Sequence, residues 1–149
     1  MFNITPACLL LAMIALGGCT TAQTSSSTPV STVESTVLLK SSNSWDGTAY
    51  DAYPVGKPEL TVLNIKIPAN TALKWHEHPM PNAAYVVSGN LTVETREGGK
   101  SILLKPGDVL PEMINRQHRG LTGDTAVELV VFYAGTPGMP LSTSQSDKQ

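Results

Sequence analysis

The 149-residue chain is predicted to be all-β, a sandwich or a barrel, on three observations. Apolar residues come in short runs, several of which alternate with polar ones. Clusters of Gly, Pro, Asn and Asp separate the runs at the spacing of an all-β chain. The body shows no convincing helical period.

The runs can be taken in order. Residues 60–67 (Leu-Thr-Val-Leu-Asn-Ile-Lys-Ile) put Leu63, Ile65 and Ile67 on one face and Asn64 and Lys66 on the other, as a half-buried strand does. Pro68-Ala69-Asn70 stops this run. A second run covers residues 72–78. Residues 83–87 form the third, closed by Ser88-Gly89-Asn90. Residues 91–95 alternate again and turn at Glu97-Gly98-Gly99. Residues 101–104 lead into Pro106-Gly107-Asp108, after which Asp108-Val109-Leu110 starts another strand. The last strong run, 126–133, follows Thr122-Gly123-Asp124. Together these runs define one domain over 37–140, long enough to bury a real core.

Upstream lies a different composition. Residues 7–16 are apolar but too few to span a bilayer as a helix. They end in Leu16-Gly17-Gly18-Cys19, which resembles a bacterial lipoprotein signal. The resemblance implies a signal peptide over 1–18 and a lipidated Cys19 as mature N-terminus. The basic start of a typical signal is absent, because residues 1–6 carry no charged side chain. An ordinary secretory signal, or a cytosolic protein with an apolar tail, therefore stays open. Cys8 would leave with the signal, and lipidation would account for the single remaining cysteine. Two anchoring signals suffice for stable membrane attachment. Thr20, rather than Asp, follows the cysteine, which favours the outer membrane, facing the periplasm. Residues 19–36 read as a flexible Ser/Thr-rich tether, and the polar residues 141–149 as a disordered tail. The net charge of −2 argues against nucleic acid as a partner.

The chemistry concentrates in three histidines, all that the chain has. In Lys74-Trp75-His76-Glu77-His78-Pro79, two of them are spaced i, i+2, so on a strand both imidazoles share a face. His118 follows the strand begun at Asp108, and a β-barrel could bring it opposite the pair. Neutral imidazole is a ligand for Zn, Cu, Fe and Ni. The competing reading is two half-exposed strand residues and a loop histidine.

The same residues resemble the two motifs of the cupin superfamily, specifically its small single-domain type-2 members. The first motif is Gly, five residues, His-x-His, three or four residues, Glu, six residues, Gly. His76, His78 and Gly89 match it, while Asn70 stands at the opening glycine and Asn82 at the glutamate. The second is Gly, five residues, Pro-x-Gly, two residues, His, three residues, Asn. Gly107 and His118 match, and Met113, Asn115 and Thr122 replace the Pro, Gly and Asn. Asparagine tolerates the left-handed backbone that glycine turns need, so Asn70 and Asn115 can keep the turns.

The resemblance covers 60–135 and implies a double-stranded β-helix, or jelly-roll barrel, with a metal in its mouth. It further implies one divalent metal per chain (Fe, Zn, Mn, Ni or Cu) on His76, His78 and His118. Asn82 would then be a weak carbonyl ligand or the partner of a bound water. Three neutral ligands leave open positions and uncompensated charge, which suits an anionic small molecule. The set resembles that of three-histidine iron cupins, which oxidise thiols or small acids with dioxygen.

Glu112 is the candidate catalytic residue. If its strand is regular, it shares a face with Leu110 and Asp108. It could serve as a replacement ligand, as a partner of a histidine or as a general acid/base; otherwise it is a rim residue in water. Trp45, Tyr50 and Tyr53 read as pocket mouth or as a lid packed on the barrel, and Lys74 as pocket-facing or solvated. The function expected is a membrane-tethered cupin that binds a divalent metal; whether it is an enzyme stays open, and if it is one, the resemblance implies a metal-dependent dioxygenase or isomerase-like reaction on a small molecule. The alternatives are a non-catalytic binder of a sugar or small acid and a metal-free barrel used for dimerisation. Cupins often pair through their outer sheets, so a homodimer is also expected from the resemblance.

Overall fold

The computed structural model describes residues 32–144. The expected signal peptide, Cys19, most of the tether and the last five residues of the tail lie outside the described residues. Residues 32–40 form no strand, and they are exposed.

Among the described residues there is no helix, and the strands form two antiparallel sheets. The strands are β1 (Glu59–Ile67), β2 (His76–Glu77), β3 (Asn82–Ser88), β4 (Leu91–Thr95), β5 (Ser101–Leu104), β6 (Val109–Pro111), β7 (His118–Thr122), β8 (Val127–Gly135) and β9 (Thr143–Ser144). One sheet runs β1-β8-β3-β6 and the other β5-β4-β7-β2-β9. Every sequence-consecutive pair except β4–β5 therefore changes sheet. That crossing back and forth closes the jelly roll.

Alternation within each strand sets what lies inside. β8 buries Val127, Leu129, Val131 and Tyr133 while Glu128 and Phe132 face out. β3 buries Asn82, Ala84 and Val86 on the same side. β4 contributes Leu91 and Val93 from the facing sheet. The two inner faces meet in a core that includes Val86, Leu110, Val127 and Met80.

The strands that alternate apolar with polar residues fall where the pattern puts them. Two elements depart from expectation. The 72–78 run is mostly not strand: only His76–Glu77 pairs as β2, with an isolated bridge from Ala72 to Leu121 and another from His78 to Ile114. β7 (His-Arg-Gly-Leu-Thr) has no apolar run to announce it. Gly120 sits at its centre because a Cβ there would lie 3.1 Å from Leu91 Cδ1 and 3.4 Å from Leu73 Cδ1. The glycine trades β-propensity for close packing.

The tail expected to be disordered from residue 141 is corrected at its start. Leu141 packs against the core, and Thr143 and Ser144 pair with Glu77 and His76. Ser and Thr carry no burial signal. Backbone pairing to the free edge of β2 orders them instead.

Candidate metal centre

β2 and β7 lie side by side, and their register sets His76 directly opposite His118. His78, two residues on, falls on the same side, as strand parity requires. The three rings form a triangle: centroids lie 5.0 Å apart for His76–His78, 4.6 Å for His76–His118 and 5.0 Å for His78–His118. One nitrogen from each falls within 4.8 Å of the others.

Each ring has its tautomer set by the backbone. Nδ1 of His76 is 2.8 Å from Lys74 O, Nδ1 of His78 is 2.7 Å from Leu141 O, and Nδ1 of His118 is 2.9 Å from Arg116 O. A carbonyl only accepts, so each Nδ1 carries the proton and donates it. In the neutral form of each ring, Nε2 is then left as a lone pair. Backbone-anchored imidazoles of this kind are what a metal requires of its histidine ligands. Burial pushes the His76 pKa down and that of His78 down to about 4, which keeps both neutral.

Glu112 completes the floor. It follows β6 directly, is 9 % exposed and shares the inner face with Leu110. Asp108 instead faces solvent, where its carboxylate accepts from Lys105 N at 2.7 Å. Glu112 Oε2 sits 3.2 Å from His118 Nε2. Burial opposes charge on both groups. The neighbouring histidines, His118 first, nonetheless hold the Glu112 carboxyl below its usual range, and Glu112 raises the pKa of His118. Both Glu112 Oε2 and His118 Nε2 are buried with no hydrogen-bond partner. Two lone pairs that face each other out of water call for a cation between them. The donor set, its fixed tautomers and these orphaned atoms fit a divalent metal ion.

Asn82 is buried on the inner face of β3, its Nδ2 donating to Met80 O at 3.2 Å and its Oδ1 without a partner. It lies across from Glu112 on the adjacent antiparallel strand, since Ala83 pairs with Pro111 and Glu112 N donates to Asn82 O at 3.0 Å. Lys74 is exposed and contributes its carbonyl to His76. The turns at the two asparagines form as expected: Asn70 and Asn115 both have φ of 53°.

The aromatic segment before the barrel is a strap that does not line the histidine cavity; Tyr50 and Tyr53 edge a separate surface groove. Asn43 and Ala49 bridge. Trp45 packs its ring on the core and donates its backbone N–H to Pro111 O at 2.9 Å. The Tyr50 hydroxyl donates to Glu112 O at 2.6 Å. Tyr53 is exposed. Inside the strap, the buried Asp46 carboxylate accepts from Ser44 Oγ (2.6 Å), Thr48 N and Thr48 Oγ1 (both 3.1 Å), and it pairs with Arg116. Sequence reasoning missed this lock and the Leu141 carbonyl. Each depends on pairing between residues far apart in the chain.

Burial would raise the Asp46 pKa, but its Ser44 and Thr48 bonds and Arg116 outweigh that and hold it below the ordinary 3.8. A depressed folded-state value means the stabilisation is present above 3.8 and is lost as pH falls through the folded value. Asp46→Asn is therefore expected to cost about 2 kcal/mol at neutral pH. Melting temperatures of wild type and variant should converge as the pH drops below 3.8; a gap that persists undiminished in acid would refute the assignment.

The cavity bounded by the three histidines and Glu112 is small, about 60 Å³, with apolar walls that include Ile65, Leu73, Val93 and Tyr133. The Tyr133 hydroxyl is pushed up to about 12, by burial first and then by Glu112, so it stays protonated.

Residues 64–133 match the family model described as Cupin domain. Among solved structures, the chain is similar to the DMSP lyase DddQ from Ruegeria pomeroyi, with 20 % identity over 60 % of this chain and 45 % of that one, TM-score 0.53. It is similar to the polyketide cyclase RemF from Streptomyces resistomycificus (16 % identity, 58 % and 60 % covered, TM-score 0.51). A third likeness is to the Lactobacillus farciminis oxalate decarboxylase formate complex (18 % identity, 58 % and 26 % covered, TM-score 0.50). The chain spans less than two thirds of each of these structures, and at these identities the likeness is one of fold. No curated protein matches the chain. The match covers 70 of the 149 residues, and the two-sheet jelly roll with its paired histidine strands agrees with it in fold.

Proposed function

We propose that the protein is a lipid-anchored, periplasm-facing cupin that holds one divalent metal on His76, His78 and His118 and acts on a small molecule at the metal's open positions. The observation that carries the metal reading is the set of three Nδ1–carbonyl bonds, which leave three Nε2 lone pairs within one small space. The ion is Fe, Zn, Mn, Ni or Cu, all of which accept imidazole or carboxylate ligands. A cavity of about 60 Å³ suits a ligand of a few heavy atoms. A bound divalent ion facing one carboxylate keeps a residual positive charge, which favours a neutral or singly anionic ligand. A metal-dependent dioxygenase or isomerase-like reaction is consistent with such a site, as is non-catalytic binding of a small acid. The small cavity speaks against a sugar. Leu60, Val62 and Phe132, exposed side by side on the outer face of β1 and β8, support pairing of two copies.

Metal analysis of the purified chain tests the reading: about one ion per chain is expected. The anchor has its own test. Mass spectrometry of the membrane fraction should find an acylated peptide that begins at Cys19, and Cys19→Ser should release the protein from the membrane. A serine variant that stays fully membrane-bound would refute the anchor and leave the metal site untouched.

A further inference from the structure

We infer that Glu112 is a fourth ligand of the metal, supplied from the end of β6 and completing a set of three imidazoles and one carboxylate. The inference rests on the three-histidine reading above and goes one ligand beyond it. Donors about 2.0–2.2 Å from a shared ion, at angles between right and tetrahedral, lie roughly 3.0–3.5 Å apart. Glu112 Oε2 and His118 Nε2 are 3.2 Å apart. With the Arg116 carbonyl holding a proton on Nδ1, the neutral His118 ring, the form that binds a metal, offers a lone pair and no hydrogen at Nε2. Among the described residues no lysine or arginine lines this cavity, so none of them neutralises the carboxylate there.

The backbone of Glu112 is held on both sides, which fixes where its side chain emerges. Its N–H donates to Asn82 O at 3.0 Å, and its carbonyl accepts from the Tyr50 hydroxyl at 2.6 Å. One residue earlier, Pro111 O accepts from Trp45 N at 2.9 Å. A solvated rim glutamate needs none of this. A carboxylate aimed at an ion does, because ligands must be held to within about half an ångström of the productive geometry.

The rival arrangement places a proton on His118 Nε2 and uses Glu112 only as its counter-ion. Titration of purified full-length protein with Co²⁺, read by its visible ligand-field absorption, separates the two. Wild type should bind one Co²⁺. Glu112→Gln, which keeps the shape and removes the charge, should bind at least tenfold more weakly with altered bands. Glu112→Asp, which keeps the charge but withdraws it by one methylene, should also weaken binding and alter the bands; it decides the matter if the glutamine variant does not fold. Wild-type affinity and unchanged bands in a folded Glu112 variant would overturn the inference. His76→Ala serves as the reference. Loss of Co²⁺ there, with wild-type behaviour in Glu112→Gln, would sink the fourth ligand alone. Retention of Co²⁺ in His76→Ala would sink the three-histidine reading with it.

Discussion

Replacing His118 with alanine is expected to lower metal affinity by about a thousandfold or more. A structural zinc site is worth roughly 10–16 kcal/mol, so each of a few ligands carries several kcal/mol. His118 is also the best-enclosed of the three, at 2 % exposed, and it lies opposite His76 in the β2–β7 register. The same change should destabilise the apo protein by about 2–5 kcal/mol, because it removes a ring that is fully enclosed and leaves a cavity in its place. The two effects are read separately, by metal titration and by chemical unfolding of the apo form. A His118→Ala protein that binds metal like wild type would contradict the site. One that unfolds like wild type would contradict the close packing around the His118 ring.

The second large effect is structural. Gly89 joins β3 to β4 with φ of 77°. A Cβ at this position would sit 2.2 Å from Ala126 O and 2.9 Å from Val127 Cγ2. A left-handed backbone is costly for a residue with a Cβ, and here the Cβ also meets backbone that has nowhere to go. Gly89→Ala should therefore destabilise the domain by about 3–5 kcal/mol. Denaturant unfolding gives the value directly, and a loss below about 1 kcal/mol would mean the turn is softer than this geometry implies. Gly98 and Gly99 also have positive φ but no atom near the added Cβ. Alanine there should cost the strain alone.

Much of the fold was legible because the pattern is period-two alternation bounded by turn residues. Leu63-Asn64-Ile65-Lys66-Ile67 and Leu91-Thr92-Val93 state which face turns inward: β1 half-buries Leu63 and Ile65 and buries Ile67, and β4 buries Leu91 and Val93. The His76/His78 pair was legible for the same reason, and the asparagine turns because Asn70 and Asn115 are among the few residue types that accept φ of 53°. Elements held by pairing rather than by their own composition were not legible. β7 is ordered by β4 and β2 on either side, and β9 by the edge of β2. His-Arg-Gly-Leu-Thr and Thr-Ser announce neither. The surroundings of the site divide in the same way. Glu112 was visible as an inward candidate by parity with Leu110. That Asn82 lies across from it, that Tyr50 and Trp45 strap its segment and that Leu141 anchors His78 all depend on contacts between distant parts of the chain.

The most direct measurement is the metal content of the purified protein beside its His76→Ala and His118→Ala variants, by elemental analysis after dialysis against metal-free buffer. The three-histidine centre predicts about one divalent ion per wild-type chain and essentially none in either variant. Equal metal in all three proteins, or none in wild type even after loading with Fe, Zn, Mn, Ni or Cu, would contradict it.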